Sequence, residues 1–315
     1  MDVRMLVKRI VVGWLILLAL IALLGRVSVA ETNSGQTAAD FLLIGAGARA
    51  AGMGGAYSAV SDNALAAYWN PAGLANLEHN EILLSHYAWY QDMSLEYAVF
   101  ARRLDNSMGL AASITYFNYG TIEGYDIDGN ATGELSAYDL AAAVSFAMAA
   151  GDRLSLGLTG RFITQKLDDV GASSFAFDVG ARYRFGRFSA AGVLSNLGPN
   201  MNFEGVSERL PTAGRIAVAA QVIEDRLLTS IELEKRFSGN TVVRNGMEIV
   251  FNEQYFVRTG YNFYPSAENR SLGSGFTVGL GLELSRVDFD YAYTFEEKYA
   301  AEDLHRFSVS FRFGP

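Results

Sequence analysis

Apolar and polar residues alternate one by one through long stretches of this sequence, and this alternation limits its fold more than any other feature. Between Phe175 and Phe185, apolar side chains occupy every second position, with Asp178, Gly180 and Arg182 among the residues between them. The stretches 287–296 and 304–313 repeat the pattern. Alternation with a period of two predicts β-strands that have one apolar and one polar face.

Fourteen strands of this kind are predicted between residues 80 and 313. Several of the connections between them are tight, as at Gly151 and Gly186, and these tight turns alternate with longer loops such as 118–134 and 197–211. Short turns on one side and long loops on the other are typical of bacterial outer-membrane barrels. The even number of strands fits the same class of protein.

Half of the residues are hydrophobic, yet after residue 30 no apolar run reaches the length of about 20 residues that a membrane-spanning helix needs. Lipid accepts only helices or closed barrels, because every backbone polar group must be paired there. We therefore predict an all-β fold: a transmembrane antiparallel β-barrel of about 14 strands, formed by residues 80–315. The expected location is the outer membrane, with its lipid around the barrel.

The first thirty residues have the pattern of a secretory signal peptide. Arg4, Lys8 and Arg9 precede an uncharged apolar run over 10–24, and Ser28 and Ala30 place small residues at a cleavage site. We expect residues 1–30 to be removed before Glu31 during export.

The charge of the chain excludes one class of partner. It has 25 Lys and Arg against 34 Asp and Glu, a formal net charge of −9. Nucleic acid is not an expected partner, because binding to phosphate needs a basic surface.

No metal site or cofactor is expected. The chain has no cysteine, and its three histidines, His79, His86 and His305, lack the spacing of metal ligands. Asp126, Asp128 and Asn130 have the spacing of a calcium loop, but Ala131 stands where that loop requires glycine. We interpret this stretch as a polar hairpin.

Residues 31–79, which we call the hatch, lack strand alternation. They are rich in glycine and alanine, and Asp62 is placed to cap a short helix that continues to Trp69 and ends before Pro71. We predict that this α and coil segment lies in the barrel lumen. Its candidate residues for contact with a ligand or partner are Arg49, Asp62, Asn70 and Pro71. The alternative is that the hatch only fills space and stabilises the barrel.

The polar strand faces carry charges of both signs that are predicted to line the lumen. The candidates are Arg161, Asp178, Arg182, Arg184, Arg215, Arg258, Asp288 and Asp290. Paired carboxylates can act as general acid and base, but here charge balance against the arginines is the stronger interpretation. No catalytic residue is assigned, and an enzyme is not expected.

Four stretches resemble a known family. GARAAGMGGAYSAVSDNALAAYWNPAGLA (47–75) resembles the N-terminal signature of the PorV/PorQ family, which is similar to the FadL-like barrels and shares the Asn70-Pro71-Ala72 element with them. TGELSAYDLAAAVSFA (132–147), VLSNLGPNMNF (193–203) and DYAYTFEEKYAAEDLHRFSVSFRF (290–313) resemble further motifs of the same family.

The resemblance implies a barrel of fourteen strands with an N-terminal hatch, and it leaves two functions open. PorV-like members serve type IX secretion and hold exported cargo by its C-terminal signal. This implies secretion-system proteins or cargo as partners, in protein export or surface assembly. FadL-like members take up hydrophobic small molecules, which is the alternative function.

Overall fold

The computed structural model describes residues 37–89, 92–265, 275–295 and 304–314. The predicted signal peptide, residues 1–30, and the start of the hatch, residues 31–36, lie outside the described residues. Cleavage before Glu31 therefore stays a prediction.

The described residues contain eighteen strands. In chain order they are β1 (Asn80–Ala88), β2 (Ser94–Arg103), β3 (Met108–Asn118), β4 (Ile122–Tyr125), β5 (Ala131–Leu135), β6 (Ala137–Ala149), β7 (Leu154–Leu167), β8 (Val170–Phe185), β9 (Phe188–Leu197), β10 (Met201–Phe203), β11 (Val206–Glu208), β12 (Ala213–Ile223), β13 (Leu227–Arg236), β14 (Thr241–Phe251), β15 (Tyr255–Phe263), β16 (Phe276–Leu284), β17 (Val287–Thr294) and β18 (Leu304–Phe313).

Fourteen of these strands form a closed antiparallel barrel, which confirms the predicted fold class. Consecutive barrel strands pair with each other, and β1 pairs with β18 from Asn80 opposite Phe313 to Ala88 opposite His305. Closure leaves no free sheet edge, so the backbone of the wall is hydrogen-bonded throughout its membrane-facing part.

The remaining four strands form two small hairpins, β4–β5 and β10–β11, that the alternation pattern missed. They lie within the connections predicted as the loops 118–134 and 197–211. Every residue of β5 except its last is exposed, so this hairpin has no apolar face that a period of two would reveal. The connection between β7 and β8 is short although it lies on the long-loop side, because β7 continues to Leu167 and β8 begins at Val170.

The two faces of the barrel wall differ as the sequence predicts. In β8, Phe175, Phe177 and Val179 are exposed on the outer face, whereas Ala176 and Asp178 are buried on the lumen face. Aromatic side chains pair near both ends of the strands. Phe185 and Phe188 pair at the short-turn end, and Tyr116 and Tyr138 pair at the long-loop end. Such rings are typical of the two interfaces of a membrane.

The hatch fills the lumen from one end to the other. Its helical turns are Asp40–Leu43, Ala48–Gly52, Ala66–Trp69 and Pro71–Asn76, and most of its side chains are buried. At the long-loop end, the Ala39 N–H donates to Oε1 of Gln165 in β7 (2.8 Å). Towards the short-turn end, Asn76 donates to Oγ of Ser155 (3.0 Å). Of the helices in the described part of the chain, none is long and apolar enough to cross a membrane.

The outer face gives a direct test of the lipid-facing assignment. Phe177 is 52% exposed on the outer wall. Phe177→Arg is expected to lower the free energy of unfolding by about 2–4 kcal/mol, because a charge near the bilayer midplane is costly. Denaturant titration of the barrel folded into lipid vesicles measures this loss, with Phe177→Leu as the matched control. Equal stability of the two variants would show that this face does not contact lipid.

Candidate functional site: the hatch and the charged lumen

The backbone of the hatch lies directly against glycines of the inner wall. A Cβ added to any of five lumen-facing glycines would stand 2.0–2.4 Å from a hatch atom. These glycines are Gly109, Gly157, Gly180, Gly246 and Gly260. At Gly157 the nearest atoms are the backbone of Pro71 and Ala72, which cannot rotate away. The wall therefore accepts the hatch only because these positions carry no side chain.

Asn70 and Pro71 fix the turn of the hatch between its two last helical segments. The buried Asn70 amide donates to the carbonyl oxygens of Ser58 (2.9 Å) and of Ala181 in β8 (3.3 Å), and its Oδ1 accepts the Ala72 N–H (3.1 Å). The Asn70 backbone is extended (φ −159°, ψ 102°), as a residue before proline prefers, and Pro71 begins the next helical turn. Asn70 therefore joins two parts of the hatch to the barrel wall.

Asp62 does not cap the helix, contrary to the sequence prediction. The helix is shorter than expected, Ala66–Trp69, and no side chain caps its N-terminus. Asn63 Oδ1 accepts the Leu65 N–H instead (3.1 Å). The Asp62 carboxylate pairs with Arg49 within the hatch, through Nη1 (2.7 Å) and Nη2 (3.3 Å). Because the helix begins only at Ala66, Asp62 does not stand at its N-cap, and its carboxylate pairs with Arg49.

A chain of five charged groups connects the hatch to the wall. Arg49 contacts Glu248 of β14 through Nε (2.9 Å) and Nη2 (3.0 Å). Glu248 also accepts from Nε of Arg258 in β15 (2.6 Å), and Arg258 reaches Asp290 of β17 (2.5 Å). With Asp62 at the other end, the signs alternate along the whole chain. The largely buried Arg49–Glu248 pair is the link between hatch and wall, and removing one member of a buried ion pair costs about 3–5 kcal/mol.

A second polar cluster lies in the wall at the end of β9. Arg161 of β7 donates to Asp178 of β8 (2.8 Å) and to Oδ1 of Asn196 (2.9 Å). The Asn196 N–H donates to Asp178 (2.7 Å), and Asn196 has a positive φ of 57°. The register of β8 and β9 shifts between Phe177 and Val179 at this point. At this register shift Asp178 accepts the Asn196 N–H, so this backbone donor is hydrogen-bonded.

Further wall side chains bind the hatch backbone. Glu232 of β13 accepts the Ser58 N–H (2.9 Å) and also pairs with Arg244 (3.3 Å). Arg306 of β18 donates to the carbonyl oxygen of Gly45 (3.0 Å). The Arg215 guanidinium lies over the Trp69 ring at 5.6 Å, a cation–π contact.

A charged cavity of about 320 Å³ opens between the hatch and the wall at the short-turn end. The remaining predicted lumen charges line it, namely Arg182, Arg184 and Asp288. Asp288 pairs with Arg312 (2.8 Å), and Arg182 donates to the Ser61 carbonyl oxygen (3.0 Å). The hatch contributes mostly polar side chains to the lining, with Leu77 as its apolar member.

The structure thus places the predicted charged residues around one hatch. Arg49, Asp62, Arg258 and Asp290 share one ion network and also line the cavity, together with Arg182, Arg184 and Asp288. Arg161 and Asp178 belong to a separate cluster, and Arg215 lies over Trp69. Sequence reasoning missed Glu248, Arg244, Glu81 and Arg306. Glu248 and Arg244 lie on β14, whose first half is buried on both faces and gives no clear alternation.

The calcium-like spacing at 126–130 serves a turn. Asp126 accepts from the Asp128 N–H (2.9 Å) and the Asn130 amide (2.9 Å), which lower the pKa of the Asp126 carboxyl, the Asn130 side chain most strongly. Within the described ranges, no group of three or more His, Asp or Glu residues is arranged to hold a metal ion.

Comparison with known proteins shows the family of this chain. The sequence model of a family described as "Type IX secretion system protein PorV" matches residues 27–237, which include the whole hatch and nine barrel strands. The chain belongs to the PorV family. It is an outer-membrane barrel of that family, related to type IX secretion. No curated protein matches the chain significantly.

Solved structures with the same fold are FadL-type barrels. A Pseudomonas aeruginosa FadL homologue is similar at 13% identity with a TM-score of 0.57, over 91% of this chain and 99% of that one. The CymD monoaromatic hydrocarbon channel matches at 13% identity and a TM-score of 0.64, over 87% and 99%. The Pseudomonas putida toluene transporter TodX matches at 13% and 0.62, over 85% and 97%. At this identity the likeness concerns the fold of this PorV-family chain.

The glycine contacts predict that one added methyl group lowers stability at Gly157 but not at Gly192. Gly157→Ala places a Cβ against the hatch backbone and is expected to cost about 1–3 kcal/mol of stability, as overpacking does. Gly192→Ala in β9 is the matched control, because nothing lies within 4 Å of its Cβ position. Denaturant unfolding in detergent micelles compares the two. Equal stabilities would contradict the close contact between hatch and wall.

Proposed function

We propose that this PorV-family barrel holds exported cargo at the cell surface in a type IX-like secretion route, and does not conduct molecules through its lumen. The observation that carries the proposal is the closed lumen. The hatch extends between both ends and is tied to β14 and β15 through Glu248 and Arg258. Among the described residues the packed hatch leaves no path for a polypeptide through the interior, so we assign cargo contact to the outer surfaces and ends. Removal of residues 1–30 on export is part of the proposal.

The long-loop end offers exposed apolar side chains for such contact. Ile127 at the tip of the β4–β5 hairpin is fully exposed, and Tyr125 and Val206 are each 60% exposed. In this proposal these hairpin tips are the contact points for a protein partner. The partner that the family relation favours is a cargo protein carrying a C-terminal secretion signal.

Uptake of hydrophobic molecules is less well supported by the interior. A site for an apolar solute is normally a largely apolar pocket. The two cavities described beside the hatch have charged linings, and one of them is bounded by Arg161, Asp178 and Arg215. Phe41 and Leu42 of the hatch are themselves buried in the packed hydrophobic core.

Site-specific photo-crosslinking in living cells tests the cargo role. A crosslinker at Ile127 is expected to capture secreted proteins that carry a type IX C-terminal signal. A crosslinker at Asp225, in a turn at the opposite end of the barrel, is the matched control and is expected to capture none of them. Absence of cargo at Ile127 and at Val206 would contradict the proposal. Loss of hydrophobic solute uptake with intact secretion in a deletion strain would favour the FadL-like function.

A further inference from the structure

The charged cavity at the short-turn end has the size of a ligand site. Its volume of about 320 Å³ lies at the lower end of the range for small-molecule pockets. The hatch supplies Arg49 and Asp62 to its lining, and the wall supplies Arg182 and Arg184 from one side and Asp290 and Arg312 from the other.

Most carboxylates of this lining already have a cationic partner. Asp62 pairs with Arg49, Asp290 with Arg258, and Glu283 and Asp288 with Arg312. Glu81, which is buried, accepts the Ala64 N–H at 2.8 Å. Glu78 is the sixth carboxylate of the lining, and among the described residues none of the six forms an ion pair with a side chain of β8.

Arg182 and Arg184 lack such a partner. They stand two residues apart on β8 and line the same cavity. Among the residues that the structure describes, neither guanidinium pairs with a carboxylate, and Arg182 donates one side-chain hydrogen bond, to the Ser61 carbonyl oxygen. Arg182 is partly buried and its Nε is buried without a hydrogen-bond partner, and a buried charge is costly unless an opposite charge compensates it.

We propose that Arg182 and Arg184 bind a small oxyanion, a phosphate or a carboxylate group, that enters the cavity from the short-turn end of the barrel. Guanidinium groups match both oxyanions through parallel N–H···O contacts. Residues two apart on a strand lie about 7 Å from each other, so both arginines can face one bound anion. The site lies at the end of the barrel opposite to the exposed hairpins. This proposal does not depend on the cargo role.

Calorimetric titration of the purified full chain in detergent with inorganic phosphate tests this site. Saturable binding is expected, and Arg182→Gln combined with Arg184→Gln is expected to weaken it about tenfold or more, because hydrogen bonds to charged groups are lost. Arg226→Gln is the matched control: it removes the same charge from an exposed turn at the same end, outside the cavity lining. Its affinity for phosphate is expected to be unchanged.

Two further arms make the result unambiguous. Arg184→Gln alone changes an exposed side chain and is expected to fold, so its affinity for phosphate can be measured if the double variant does not fold. Competition by acetate assigns the site to carboxylates as well, and absence of competition restricts it to phosphate. No saturable phosphate binding to the native chain, or equal affinity in the Arg184 variant and the Arg226 control, would overturn the proposal.

Discussion

Glu248 accepts hydrogen bonds from Arg49 on the hatch and from Arg258 on the wall, and the position of the hatch depends on this shared carboxylate. A barrel of fourteen strands encloses more volume than its own inward side chains fill. Here the hatch fills that volume, and its Arg49 supplies a cation for Glu248 of the wall. The inward glycines allow its backbone to approach, and the buried arginines and acids of the wall then find partners on it. Wall and hatch therefore form one packed unit.

Alternation with a period of two predicted the barrel because lipid on one side and a polar lumen on the other impose opposite demands on neighbouring residues. It predicted β8 and β18 well and missed β4–β5, where both faces meet solvent. The glycine content was visible in the sequence, but which glycines touch the hatch depends on strand register. The ion partner of Arg49 was hidden for the same reason, since Glu248 lies 199 residues further along the chain.

The chain shares its architecture with channels for hydrophobic compounds and its sequence family with a secretion protein. The lumen of this chain is charged and filled by the hatch. Charged groups surround the hatch at both of the cavities described beside it, and buried hatch residues such as Phe41 belong to the packed core. The shared fold does not by itself assign a function, which resides in particular sites.

Conductance in planar lipid bilayers tests the closed lumen most directly. The full chain is expected to show almost no conductance, and a variant that lacks residues 35–75 is expected to open a large pore, because the removed segment includes the contacts of Arg49, Asp62 and Asn70. Circular dichroism of the same samples establishes that the shortened barrel is folded. An intact shortened barrel with the conductance of the full chain would contradict a hatch that closes the lumen.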